Sequence, residues 1–155
     1  MFELLFLLSF TLHNIEEALW LPDWSKYAKK FHPVVEKNEF HFAVLVITVI
    51  GYILTFLFLI FGGSSEIIKY LYFGFLLGMC LNAIFPHFIA MLILKRYSPG
   101  TITGILLNIP IGIYIIFLKY NESLNNYKLW LGFIIFSIVA LAILKPLFKI
   151  GKRIL

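Results

Sequence analysis

The sequence predicts an all-α fold: a polytopic transmembrane bundle of five spanning helices, N-terminus outside and C-terminus cytoplasmic. Three observations carry that expectation. First, 61% of the 155 residues are hydrophobic and only 14% charged, with a mean hydropathy of +0.95, which sets the chain apart from soluble domains. Second, the apolar residues gather in five runs, at about 2–20, 40–61, 67–94, 101–118 and 129–144. Each approaches the ~20 residues that a helix needs to cross a bilayer core. Third, Lys26, Lys29, Lys30, Lys37, Lys95, Arg96, Lys145, Lys149, Lys152 and Arg153 fall on one side of such a bundle, and only Lys69, Lys119 and Lys128 on the other. The positive-inside rule places the first group in the cytoplasm. The whole chain, 1–155, is expected to form one bundle domain in a cytoplasmic membrane.

The first run lacks a basic leader and a small-x-small cleavage site and ends in carboxylates, so it is read as a retained helix. Within it, His13-Asn14-Ile15-Glu16-Glu17 places three ionisable side chains on one face. At 100° per residue, Glu16 and Glu17 flank His13 by about 60° and 40°. Such groups cost several kcal/mol each in a membrane unless the bundle satisfies them.

The 21–39 connector alternates aromatics and lysines (Trp24, Lys26, Tyr27, Lys30, Phe31). It reads equally as an interfacial helix and as a solvated basic loop, with His32 beside Pro33 a surface histidine. The second run carries the stripe His41, Thr48, Tyr52, Thr55 at helical spacing, a face turned to its neighbours.

The third and fourth runs carry Gly74-x-x-x-Gly78-x-x-x-Asn82 and Gly104-x-x-x-Asn108-x-x-x-Gly112, read as packing strips that meet each other. Pro86 and Pro110 each remove a helical hydrogen bond. Asn82 and His87 stand about 140° apart on a straight helix, so a kink at Pro86 must swing them together to share a site. Cys80 reads as a small buried hydrophobe. Ser98-Pro99-Gly100 is a tight turn, 121–126 a polar turn, and the fifth run, with Ser137 its one polar side chain, a scaffold. Trp20, Trp24 and Trp130 mark interfaces.

At a 1.5 Å rise, His13 lies about 10 Å from the end of its run, and His87 and Asn108 lie about 12 Å from theirs, all on the cytoplasmic side. That common depth points to a metal site. His13, Glu17, His87 and His41 are the candidate ligands for a divalent ion, Zn or Fe, and Glu16 or Glu17 is the candidate general base. Asn82, Asn108 and Tyr52 are candidate substrate contacts, and Glu39 is an outlying one.

The chemistry expected is hydrolysis of a lipid or other amphiphile reaching the site from the cytoplasmic leaflet. Membrane lipid is the expected partner, nucleic acid is not, and homo-oligomerisation is left open. A proton-coupled transporter or channel subunit using His13, Glu16 and Glu17 as a relay is the alternative. A hydrogen-bonded network in a non-catalytic partner protein is a third reading. Ser9, one turn before His13, brings no acyl-transfer geometry with it.

His13-x-x-Glu16-Glu17 in the first helix, Asn82 and His87 in a later one, and Tyr97-x-Pro99-Gly100 opening the next resemble the bacterial HXXEE-domain family. That resemblance spans nearly the whole chain. It implies a small multi-helix membrane protein with His13, Glu16, Glu17 and His87 at its site, and implies no particular reaction.

Overall fold

The computed structural model describes residues 1–30 and 33–154, and among these the regular structure is helical throughout. Phe31 and His32 lie outside the described residues, so the surface role expected for His32 is not addressed. Five helices are long and apolar enough to cross a membrane: α1 (Phe2–Ser25), α2 (Lys37–Phe61), α3 (Glu66–Leu94), α4 (Thr101–Lys119) and α5 (Tyr127–Ile154). In hydrocarbon a backbone satisfies its own hydrogen bonds only as a helix or closed barrel, which is why these apolar runs fold as they do.

The helix ends depart from the sequence reading in two places. α1 continues past Trp20 through Pro22 to Ser25, and α5 continues past Leu144 through Pro146 to Ile154. The extension of α5 is held where Gly151 lies against Phe42 and Glu39 of α2 and where Lys152 pairs with Glu39 at 3.4 Å. In the connector, no helix runs along the surface among the described residues. Ser25 accepts from Val35 N–H at 3.2 Å and pins the loop back on α1.

α3 is interrupted at Phe85, whose φ of −125° and ψ of 121° are extended, immediately before Pro86. A wide turn over Ala83–Phe88 restores the helix, and α4 has similar turns at Gly104–Asn108 and Tyr114–Lys119. Such widened turns rotate later side chains relative to earlier ones and recur at functional sites.

The glycine strips do not simply meet each other. A Cβ at Gly74 would strike the backbone of Gly132, and one at Gly78 would lie 2.8 Å from Phe136, so that strip receives α5. α4 instead meets α3 along Cys80 and Ala83: a Cβ at Gly104 would come within 2.5 Å of Ala83 Cβ, and one at Gly112 within 2.6 Å of Cys80 Sγ.

Two apolar clusters result. A large one, at the end where α1 begins, is built on Phe6, Phe10, Phe58, Tyr72, Phe73 and Phe75, with Phe10 and Phe75 edge to face at 5.0 Å. A small one, at the other end, joins Leu21, Trp24, Ala28, Val35, Phe40 and Ala90. Between them lies a polar layer containing residues 13–17, 82–87 and 97–104.

Candidate functional site

The polar layer begins with Glu16, which α1 presents to the first turn of α4. Lys95 (φ 49°) ends α3 in the left-handed region, and Gly100 (φ 87°) turns the chain into α4. The turn aims its donors at one carboxylate. Glu16 Oε1 accepts from Tyr97 OH and from Gly100 N–H at 2.7 Å, while Oε2 accepts from Thr103 N–H at 3.2 Å and Thr103 OH at 2.6 Å. Glu16 therefore caps the start of α4 from another helix, where an anion faces unpaired N–H groups and the positive end of the helix dipole. Burial, followed by the bond to Glu16 and its charge, raises the Tyr97 phenol above its ordinary value. With four donors on two oxygens, Glu16 is engaged in positioning.

Glu17, one residue on, turns the other way. Its Oε1 lies 3.3 Å from His13 Nε2 and 2.7 Å from His87 Nε2. The interruption at Phe85 is what brings His87 round: Asn82 and His87 both reach the face of α1, with Asn82 Nδ2 at 3.5 Å from His13 Nε2. The two imidazoles stand perpendicular at 5.6 Å between centroids. Nitrogen and oxygen donor atoms of His13, Glu17 and His87 all lie within 4.8 Å of one another, a spacing that could hold a metal ion. His13 and His87 side chains are 0% and 4% exposed, and Glu17 is 13% exposed. Gly100 makes room for it, since a Cβ there would lie 2.8 Å from His13 Cε1 and 3.1 Å from Glu17 Oε1.

Four sequence-predicted positions fall elsewhere. His41 is not in the cluster: its ring sits on an exposed face and Nε2–H donates to Ala18 C=O at 2.8 Å. The reason is Pro22, which has no N–H to give the carbonyl four residues before it. Tyr52 lies 3.3 Å from Thr11 Oγ1 on the partly exposed seam between α1 and α2, beside the Asn14–Thr48 bond of 2.7 Å, and so serves helix packing. Asn108 is fully buried, where its Oδ1 accepts from Ser9 OH at 2.5 Å, and Cys80 Sγ lies 3.4 Å from its carbonyl oxygen. The Ser9–Asn108 bond joins α1 to α4, while Asn108 Nδ2 is buried without a hydrogen-bond partner among the described residues. Glu39 is drawn to Lys152, away from the histidines.

Sequence reasoning missed Thr103, whose only signal is a hydroxyl one turn after a glycine that opens a helix. It also missed Glu3, 1% exposed at the opposite end of α1, which accepts from Lys119 and from Tyr120 OH at 2.8 Å. The available signal was a carboxylate early in one helix facing a Lys-Tyr pair late in an antiparallel one. Glu122 is held in the same manner by Lys69, with Asn126 Nδ2 donating at 2.9 Å.

The family description "Protein of unknown function with HXXEE motif" matches residues 4–115, a range that contains every residue of the polar layer. The chain is 45% identical over 150 residues to "Uncharacterized protein YrkK" of Bacillus subtilis (strain 168), with 96% of this chain and 94% of that protein covered. No solved structure matches the chain.

Proposed function

The chain belongs to the HXXEE family, and from the positions of its motif residues we propose that it is a metal-dependent enzyme embedded in the membrane. The single observation that carries this reading is the convergence of one donor atom each from His13, Glu17 and His87 within 4.8 Å in a buried layer. Two imidazoles and one carboxylate are the ligand type of catalytic zinc sites, which keep a further position for water or substrate. Iron also accepts two histidines and a carboxylate.

A metal in such a site supplies an activated water near neutral pH. The chain's own residues would then bind and orient. Asn82, beside His13, offers an amide to a substrate carbonyl or phosphoryl oxygen, and Glu17 is the most exposed member of the group. On α3, between Cys80 and His87, Leu81, Ile84 and Phe85 are exposed, with Phe85 at 64%. This apolar approach favours a lipid or amphiphile over a water-borne substrate, so hydrolysis of such a molecule is the reaction proposed. The lysine and arginine asymmetry supports a polar layer in the cytoplasmic half of the plasma membrane, with the N-terminus outside.

The large aromatic cluster favours an enzyme over a proton path. A relay starting at Glu17 would have to pass Phe6, Phe10, Phe75 and Leu76, each at most 1% exposed. The reading is tested by loading detergent-solubilised protein with zinc or ferrous iron and supplying phospholipid vesicles doped with fluorogenic ester and phosphodiester amphiphiles. Metal-dependent product release that Glu17→Gln abolishes is expected. Proton flux in liposomes by metal-free protein, abolished by the same substitution, would overturn it.

A further inference from the structure

We propose that Lys145, Lys149 and Arg153, on the last turns of α5, form an edge that receives the headgroup of an anionic phospholipid. This rests on the membrane-spanning reading and is independent of the metal. A contrast between the two ends of the bundle motivates it. At the end where α1 begins, each lysine meets a carboxylate: Lys69 pairs with Glu122, Lys119 with Glu3, and Lys128 with Glu66 at 2.6 Å. At the other end the carboxylates are outnumbered. Asp23 is shared by Lys26 at 2.7 Å and Lys37 at 3.8 Å, and Lys152 takes both Glu39 and Glu36, at 3.4 and 3.9 Å. Lys145, Lys149 and Arg153, with Lys95 at the end of α3, are exposed and have no ion-pair partner among the described residues. Arg96 lies over the Tyr27 ring at 4.4 Å, a contact that brings no countercharge.

Charge alone would suit any anion, and the form of α5 selects a lipid. Its 28 residues extend about 42 Å at a 1.5 Å rise, beyond the ~30 Å of a hydrocarbon core. With Tyr127 and Trp130 at the opposite interface, the last turns reach the headgroup region. There Lys145, Lys149 and Arg153 fall within about 80° of one another, along about 12 Å of helix. Gly151, on the side of the helix opposite Lys149, packs against Phe42 and Glu39 of α2, which turns the cationic edge outward. Ile150 and Ile154 beside that edge are exposed, so one surface meets both a phosphate and the start of an acyl chain. Lysine and arginine stems lie along apolar surface while their heads stay at the polar level. The helix dipole accounts for Lys152 and Arg153 in the last turn, but its effect fades before Lys149 and Lys145.

The test reconstitutes full-length, metal-free protein in phosphatidylcholine vesicles and measures, by electron spin resonance, the association of spin-labelled phosphatidylglycerol relative to spin-labelled phosphatidylcholine. Wild type should prefer phosphatidylglycerol by about five-fold or more at low salt, the factor that a single lysine or arginine contributes at an anionic surface. The preference should shrink at high salt. Lys145→Gln, Lys149→Gln and Arg153→Gln combined should bring the ratio close to one, while Lys145→Arg with Lys149→Arg, and Lys128→Gln at the opposite end, should leave it unchanged. A wild-type ratio near one, or a preference that the triple variant retains, overturns the inference. So does a preference removed by inorganic phosphate or polyglutamate but not by chloride at the same ionic strength, which would assign the edge to a free anion or an acidic protein. Protein that does not enter the vesicles overturns the membrane-spanning reading as well, and zinc uptake plays no part in any of these outcomes.

Discussion

His87 Nε2 lies 2.7 Å from Glu17 Oε1, which joins two residues 70 positions apart across the interface of α1 and α3. The contact depends on the extended Phe85, because a regular helix would point His87 away from Asn82 and from α1.

The two glutamates of the motif should therefore respond differently to the same substitution. Glu17→Gln should abolish stoichiometric zinc binding, read by calorimetry, while leaving a folded bundle. Glu16→Gln should act first on stability. Whichever oxygen becomes an amide nitrogen, two of its four donors lose their acceptor, at about 1–3 kcal/mol for each. Thermal unfolding of metal-free protein in micelles would show the larger drop for Glu16→Gln.

Gly100→Ala should damage both properties together. Its φ of 87° is costly for any residue with a Cβ, by roughly 1–2 kcal/mol, and that Cβ would press on the His13 ring at 2.8 Å. The expected result is a lower unfolding temperature accompanied by weakened zinc binding.

His41→Ala should leave zinc binding unchanged and cost about 1 kcal/mol through the lost bond to Ala18. Because Pro22 is what deprives that carbonyl of its helical partner, Pro22→Ala should make the loss of His41 nearly harmless. A double-mutant cycle on unfolding free energy checks this coupling.

The five long apolar helices were legible because hydropathy is a long-range average that survives local error. The grouping of His13, Glu17 and His87 was legible from depth alone, since a 1.5 Å rise places residues on an axis without any knowledge of packing. What depth cannot resolve is azimuth. His41 and Tyr52 share the polar stripe of α2, yet that stripe faces the seam beside Ala18 and Thr11 rather than the imidazoles. Glu16 and Glu17 differ by one residue and so by about 100° on α1, which sends one to the start of α4 and the other to the histidines. Thr103 was invisible because its importance exists only once the Gly100 turn brings α4 beside α1. Glu3 was missed because its partners, Lys119 and Tyr120, lie 116 and 117 positions away at the end of another helix.

Glu122 supplies a pH-dependent prediction outside the spans. Burial alone would raise its carboxyl, but the hydrogen bonds and charge supplied by Lys69, with Asn126, outweigh it and hold the group below its ordinary 4.5. A carboxylate depressed on folding stabilises the protein above its unfolded value, and that contribution is lost as pH falls through the folded value. Unfolding temperature should thus decline as the medium is acidified below about 4.5, and Glu122→Gln should lack that part of the decline.

The central claim, that His13, Glu17 and His87 hold a metal, is tested most directly by elemental analysis of protein purified from membranes without chelator. The account predicts close to one zinc or iron per chain in wild type and none retained by His13→Ala or His87→Ala. Wild-type protein free of transition metal and unable to take it up, or a His13→Ala variant with an undiminished metal content, would contradict it.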